Sequence, residues 1–182
     1  MNAKDFDPLS VDVTAFAKAA GALAGRWPLV QLERLAGSAD AAALPADAEV
    51  RWRAQGELRA MRSGENEVWL RVEAATHLPL ECQRCLKPVE TPLDIARSFR
   101  FVHGEDAAAQ LDTDSEDDVL ALTRSLDLRE LIEDELLLAL PLVPRHGVCP
   151  QPLHAPATDE VVIEKPNPFA ALAALKRPGQ PS

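Results

Sequence analysis

The sequence predicts an α+β protein. Its core is an antiparallel sheet of about five or six strands, open or barrel-like, with a long packed helix and short terminal helices. Apolar residues recur at every second position in stretches 50–60, 68–74 and 93–101, which is the period of half-buried strands. Between residues 128 and 140 the spacing changes to three and four, the period of a helix. These two periods, in separate parts of the chain, are the basis of the fold class.

The segment before the first strong strand signal is rich in alanine. Residues 11–24 predict a helix, because alanine has the highest helix propensity, and Ser10 or Asp12 can cap its N-terminus. Residues 29–35 predict a short strand, and residues 37–47 predict a loop.

The central sheet is expected to begin with a hairpin. Residues 50–60 and 68–74 alternate on either side of a turn at 63–66. The sheet then continues through 76–81 into a Cys-x-x-Cys turn and leaves it through 93–101. The cysteine turn is therefore predicted to join two strands at one end of the sheet.

The acidic second half has three predicted parts. Residues 103–118 lack periodicity and predict a mobile surface loop, and 119–122 predict another strand. Asp127 can cap a helix over 128–140, with Glu130 as its capping-box partner. The carboxylates in the first turns of this helix are interpreted as solvated charge rather than as a catalytic or metal site. They are Glu130, Glu133, Asp134 and Glu135.

Charge and composition limit the functional classes. The net charge of −10 argues against a generic nucleic-acid binder, since phosphate contacts supply most nonspecific affinity. Segment 50–103 is weakly basic, however, whereas 105–118 holds acidic residues and no basic ones. No apolar run is long enough to span a membrane, and the N-terminus does not resemble a signal peptide. We therefore expect a cytoplasmic protein.

The three cysteines form the most specific chemical signal. Cys82 and Cys85 have the spacing of half a zinc site or of a redox dithiol. Cys149 and His146 would complete a Cys₃His zinc site, with His154 as an alternative fourth ligand. A plain structural use of the cysteines, without metal, is the competing interpretation.

The chain is expected to divide at a linker. Residues 1–155 are predicted to form a single α+β domain, and 156–182 a linker with a short C-terminal amphipathic helix. Asn167 can cap that helix, with Pro168 at its first position. It can dock on its own domain or on a partner.

Three blocks of sequence together resemble the YceD family. They are Leu-Glu-Cys-Gln-Arg-Cys-Leu-Lys-Pro at 80–88, Asp-Leu-Arg-Glu-Leu-Ile-Glu-Asp-Glu-Leu at 127–136 and Lys-Pro-Asn-Pro-Phe at 165–169. The resemblance implies a bacterial, cytoplasmic protein that acts in synthesis or processing of 23S ribosomal RNA, with no established catalytic activity. Some members carry a second cysteine pair after the acidic helix. Here that stretch has Cys149 alone, so a zinc site requires His146 or His154 as a substitute ligand.

Two noncatalytic functions follow from these observations. The first is a ribosome-biogenesis factor that contacts 23S rRNA, its precursor or large-subunit ribosomal proteins. The second is an acidic adaptor that binds ribosomal proteins and touches RNA only indirectly. Arginines interleaved with Trp69 suggest a surface for unpaired bases, although half-buried tryptophans usually serve sheet packing. The candidate phosphate contacts are Arg84 and Lys87 at the cysteine turn, with Arg51, Arg53, Arg71, Arg97 and Arg100 on the sheet.

An enzyme is disfavoured. A zinc deaminase requires His-x-Glu ahead of Pro-Cys-x-x-Cys, but the His-x-Glu of this chain, His103 to Glu105, follows the cysteines. A thioredoxin-like dithiol opens a helix, whereas Pro88 and alternating residues follow this one. No phosphate-binding loop or nucleophile elbow is present, and we expect no small-molecule substrate.

Overall fold

The computed structural model describes residues 6–60, 66–115 and 117–150. The helices are α1 (Val13–Lys18), α2 (Glu33–Gly37), α3 (Glu105–Asp114) and α4 (Leu128–Leu138), with a 3₁₀ turn at Leu29–Gln31. The strands are β1 (Ala22–Pro28), β2 (Glu49–Ala60), β3 (Asn66–Glu81), β4 (Pro88–Val102) and β5 (Asp118–Ala121). The α+β class is confirmed. The turn predicted at 63–66 and the C-terminal helix predicted within 156–182 fall wholly or largely outside the described residues, as does His154.

The strands form one five-stranded sheet in the order β1-β2-β3-β4-β5. The first three pairings are antiparallel, and β5 joins β4 in parallel. Among the described residues β1 and β5 do not pair, so the sheet is open rather than a closed barrel. The parallel edge strand differs from the fully antiparallel sheet that the sequence predicted. It arises because α3 carries the chain back along β4 before β5 begins.

The inner face of the sheet carries the hydrophobic core. Side chains from the sheet, such as Leu70, Val72 and Phe99, pack with Phe16 of α1 and Ile132 of α4, all at most 2% exposed. The predicted strands 50–60, 68–74, 76–81 and 93–101 are all present, because their period-two pattern matches one covered face. No helix in the described part of the chain is long and apolar enough to cross a membrane.

The predicted helix over 11–24 is wrong beyond Lys18. Asp12 caps the helix as predicted, and its Oδ1 accepts from the N–H of Ala15 at 2.9 Å. The chain then turns through Ala20, whose φ is 45°, and forms β1. The stretch 22–28 pairs with β2 over seven residues, and Trp27 stacks on Trp52 with ring centroids 4.3 Å apart. Tertiary pairing therefore overrides the helix propensity of the alanines.

Two further local predictions are wrong. Residues 29–35 form the 3₁₀ turn and the start of α2 rather than a strand. Residues 105–114 form α3 rather than a mobile loop, and Ala108 within this helix is buried. The loop at 37–47 is confirmed, as are the strand at 119–122, which spans 118–121, and the helix capped by Asp127. The wrong predictions concern short segments whose structure depends on what they pack against.

The acidic first turns of α4 are not simply solvated, contrary to the sequence-based interpretation. Glu133 and Glu135 are 8% and 9% exposed. Glu133 pairs with Arg34 at 2.9 Å, and Glu135 pairs with Arg97 at 3.1 Å. Burial raises the pKa of Glu135, and the charge of Arg97 opposes that shift. Glu133 therefore links α4 to α2, and Glu135 links α4 to β4.

Gly56 is expected to tolerate no side chain. A Cβ there would lie 2.7 Å from Phe16 and 2.9 Å from the backbone of Ala17, because α1 crosses β2 at this point. We predict that Gly56→Ala lowers the free energy of unfolding by about 2 kcal/mol through overpacking, measured by urea denaturation. Gly37→Ala is the matched control, since nothing lies within 4 Å of its Cβ position. Equal stability of the two variants would contradict this packing.

Candidate metal centre

The Cys82–Lys87 turn lies at the tip of the hairpin formed by β3 and β4. The N–H of Cys82 donates to the carbonyl of Lys87 at 3.0 Å, and the N–H of Leu86 donates to the carbonyl of Cys82 at 2.8 Å. Leu86 has a φ of 56°, which brings the chain back toward β4. This tight turn directs the sulfurs of Cys82 and Cys85 to one side, as the spacing predicted. We call it the knuckle.

The segment after α4 returns to the knuckle. The N–H of Gln83 donates to the carbonyl of Pro144 at 2.9 Å. The guanidinium of Arg84 donates to the carbonyl of His146 at 2.6 Å and to that of Gly147 at 3.3 Å. Hydrogen bonds thereby link residues that are 62 and 63 positions apart in sequence.

The structure brings the predicted Cys₃His ligands together. The ligand atoms of Cys82, Cys85, His146 and Cys149 all lie within 4.8 Å of one another. In a tetrahedral zinc site, with Zn–S bonds of about 2.3 Å, adjacent ligand atoms lie about 3.8 Å apart. Small side-chain rotations therefore suffice to close the four donors around one ion. This group of residues can hold a metal ion.

The hydrogen bonds of His146 identify its metal-facing nitrogen. Nε2 lies 3.0 Å from the carbonyl oxygen of Pro88, which only accepts, so Nε2 carries the proton of the neutral ring. Nδ1 is then unprotonated and lies 3.5 Å from the Cys85 sulfur, inside the cluster. A carbonyl partner of this kind orients a ligating histidine and fixes its tautomer.

The thiols of the knuckle are electrostatically unequal. Burial raises the pKa of Cys82, but N–H groups of His146, Arg84 and Cys85 oppose burial and together lower that pKa to about 5. Burial raises the pKa of Cys85, against a hydrogen bond from the N–H of Lys87. The lowered pKa favours the thiolate form of Cys82, and a bound cation would also stabilise the thiolate form of Cys85.

The predicted phosphate-contacting arginines are spread over both faces of the sheet. Arg51, Arg53 and Arg71 lie on the outer face, as predicted, where Arg53 and Arg71 share Glu73 at 3.4 and 2.9 Å. The same face holds a trough of about 800 Å³ with mixed charge, lined in part by Arg26, Arg51, Arg53, Glu73 and Asp94. Cations and carboxylates therefore largely balance one another across this surface.

Three residues of the predicted basic and aromatic surface are engaged within the fold. Trp69 is 5% exposed and lies beneath the guanidinium of Arg59, 3.9 Å from its ring centroid, which supports the sheet-packing interpretation. Arg100 pairs with Glu67 at 2.7 Å. Arg97 points to the inner face, toward Glu135. The outer face therefore presents no exposed tryptophan at Trp69.

The knuckle has a different charge environment. Arg84, Lys87 and Arg145 are all exposed there, and Glu81 and Glu90 are the acidic residues nearest to the knuckle in sequence. Within the part of the chain that the structure describes, neither Lys87 nor Arg145 forms an ion pair. Arg145 was not among the phosphate contacts predicted from sequence, although its place beside His146 would have indicated it.

Comparison with known proteins agrees with the sequence motifs. Residues 70–176 match the protein family described as Large ribosomal RNA subunit accumulation protein YceD. The chain belongs to the YceD family. A relative from Haemophilus influenzae, named Large ribosomal RNA subunit accumulation protein YceD, is 33% identical over 175 residues, which cover 93% of this chain and 96% of the relative. No solved structure matches the chain.

The family match spans the features that build the candidate metal centre. It begins within β3 and includes the knuckle, α4 and the Cys149 segment. It leaves out β1, β2 and the residues of α1 and α2, which supply much of the core.

Proposed function

We propose that this member of the YceD family is a noncatalytic ribosome-biogenesis factor that supports synthesis, processing or accumulation of 23S rRNA. The observation that supports this proposal most directly is the Cys₃His group at the tip of the β3–β4 hairpin, where exposed cations lie close by in sequence. The name of the Haemophilus relative supports the same process. The knuckle is the proposed contact with rRNA or its precursor.

The proposed cofactor is one structural zinc ion. Three thiolates and one imidazole are a donor set that zinc favours in structural sites. Four protein ligands leave no open coordination position for a substrate, which supports a noncatalytic role. The ion would join the knuckle to the Cys149 segment and so fix the positions of the nearby cations.

The proposed RNA contacts are phosphate contacts. Lys87 and Arg145 present ammonium and guanidinium groups that pair with no carboxylate among the described residues, and Arg84 keeps exposed donors beside its two carbonyl partners. Arg51 is a further candidate on the sheet. The sheet arginines Arg53, Arg71, Arg97 and Arg100 remain candidates, but each would first have to exchange a carboxylate partner for phosphate.

Charge reversal at the knuckle is expected to weaken RNA binding. We predict that Lys87→Glu lowers affinity for a 23S rRNA fragment about tenfold and reduces its salt dependence, since one phosphate contact is lost and replaced by repulsion. Fluorescence anisotropy at several salt concentrations measures both effects. Arg124→Glu makes the same change in net charge at an exposed site outside the knuckle and serves as the control. Equal losses in the two variants would remove the knuckle from the proposed interface.

The acidic end of the sheet supports a second candidate, the adaptor for ribosomal proteins. β4 spans 15 residues, so its ends lie up to about 50 Å apart. The knuckle precedes it, and α3 follows it with exposed Glu105, Asp106 and Asp112. A basic ribosomal protein would be attracted to that end. The adaptor would be favoured if the chain bound a purified large-subunit protein but no RNA. The triple variant Glu105→Gln, Asp106→Asn, Asp112→Asn should then no longer bind that protein.

A further inference from the structure

The knuckle carries an unusual concentration of exposed apolar side chains. Among the residues that the structure describes, seven large apolar side chains are exposed, and four of them belong to the knuckle or to the segment that returns to it. The four, which we call the knuckle patch, are Leu86, Leu142, Val143 and Val148, with 59, 101, 58 and 90% exposure. A grouping of this kind marks a binding surface rather than scattered surface residues.

The contacts of neighbouring residues bring the patch together. Val148 precedes Cys149, and Leu86 follows Cys85, while the two cysteines belong to one cluster of ligand atoms. Val143 precedes Pro144, whose carbonyl accepts from the N–H of Gln83 in the same turn. Leu86, Val143 and Val148 are therefore direct sequence neighbours of residues at the candidate metal centre, and Leu142 adjoins Val143.

Leu86 occupies a position where leucine is unfavourable for the fold. Its φ of 56° is in the left-handed region, which glycine adopts without strain and bulky residues avoid. Its side chain is also 59% exposed, so it contributes little to the core. Strain together with exposure indicates that the side chain serves binding.

The charges around the patch limit its partner. Arg84, Lys87 and Arg145 are exposed and lie within two residues of Leu86 or Val143 in sequence, so a basic protein segment would be repelled and an anionic ligand attracted. Duplex RNA offers phosphates but keeps its bases stacked inside, whereas single-stranded RNA offers phosphates and accessible apolar base faces.

From this combination of apolar surface and surrounding cations, we infer that the knuckle patch binds unpaired bases of single-stranded RNA, while the adjacent cations bind its phosphates. This inference rests on the proposed function and adds to it the class of RNA that is bound. Base faces pack on Leu86 and Val148, and the selectivity for unpaired RNA comes from these apolar contacts rather than from charge.

The test compares the zinc-loaded full chain with the double variant Leu86→Gly, Val148→Ser. Glycine at position 86 relieves the backbone strain, so zinc content and thermal stability are expected to be retained. The probes are a short unstructured RNA, its duplex with the complementary strand, and an abasic oligonucleotide of the same length. We expect the variant to lose about tenfold or more in affinity for the unstructured RNA and to bind the duplex and the abasic probe as the wild type does. Val30→Ser, at an exposed valine outside the knuckle, should change nothing.

The outcomes separate this inference from the function on which it rests. If the folded, zinc-loaded variant binds unstructured RNA as tightly as the wild type does, the patch does not contact bases, although the knuckle can still bind phosphates. Equal wild-type affinity for the unstructured and abasic probes overturns the inference in the same way. A wild-type chain that binds none of the three probes overturns the proposed RNA contact itself. Binding of an acidic, leucine-rich peptide in place of RNA, lost in the double variant, would assign the patch to a protein partner instead.

Discussion

Replacement of His146 by alanine is expected to reduce the zinc content of the purified protein from one ion per chain to a small fraction of that value. The imidazole is one of four donors, and its Nδ1 faces the cluster. Its loss leaves three thiolate ligands and a fourth position that only water can occupy, so the protein holds the ion with one donor fewer. Inductively coupled plasma mass spectrometry measures the metal, and competition with a chromogenic chelator measures its affinity, which we expect to fall at least a hundredfold.

Two matched histidine variants make this experiment specific. His77→Ala removes an exposed histidine from β3, outside the cluster, and should leave the zinc content unchanged. His154→Ala tests the alternative fourth ligand and should also retain zinc, because His146 completes the set without it. Loss of zinc from His154→Ala but not from His146→Ala would contradict the ligand assignment.

Glu133→Ala is expected to destabilise the fold by about 3 kcal/mol, the largest effect that we predict for a single side chain outside the metal centre. One oxygen of Glu133 accepts from the N–H groups of Arg34 and Leu35, at 2.8 and 3.1 Å. These are first-turn donors of α2, whose own N-cap residue, Leu32, supplies no side-chain acceptor. The other oxygen binds the Arg34 guanidinium. Alanine would leave all of these donors without their acceptor.

Urea denaturation of two further variants separates the role of Glu133 as an acceptor for the α2 N–H groups from the role of its charge beside Arg34. Glu133→Gln keeps an acceptor for the α2 N–H groups and should lose about half as much stability as Glu133→Ala. Asp134→Asn removes the neighbouring exposed partner of Arg34 and should cost less than about 1 kcal/mol, as exposed ion pairs do. If Glu133→Ala were as stable as Asp134→Asn, α4 would not hold α2 in the manner described.

The central sheet could be predicted from sequence because its signal is local. In β2, β3 and β4 apolar and polar residues alternate over long stretches, and one face is covered by helices. The same reasoning could not identify β1. Its alanines, glycine and proline carry no strong strand preference, and its structure depends on pairing with β2 and on the Trp27–Trp52 stack.

The buried carboxylates could not be predicted from sequence for a related reason. Glu133 follows the pattern of an exposed helix face, and its partner Arg34 lies 99 residues away. Only the packing of α2 against α4 explains its burial. The candidate metal ligands were easier to identify, because Cys82 and Cys85 have a recognised spacing. Their convergence with His146 and Cys149, however, depends on the return of the chain after α4.

The most direct test of the account is native mass spectrometry of the zinc-loaded chain mixed with 23S rRNA fragments, before and after addition of a chelator. We predict one zinc ion per chain, a complex with RNA, and loss of both upon chelation, because the proposed ion would fix the knuckle in the position that contacts RNA. Retention of the RNA complex by the metal-free chain would contradict it and move the RNA contact to the outer face of the sheet.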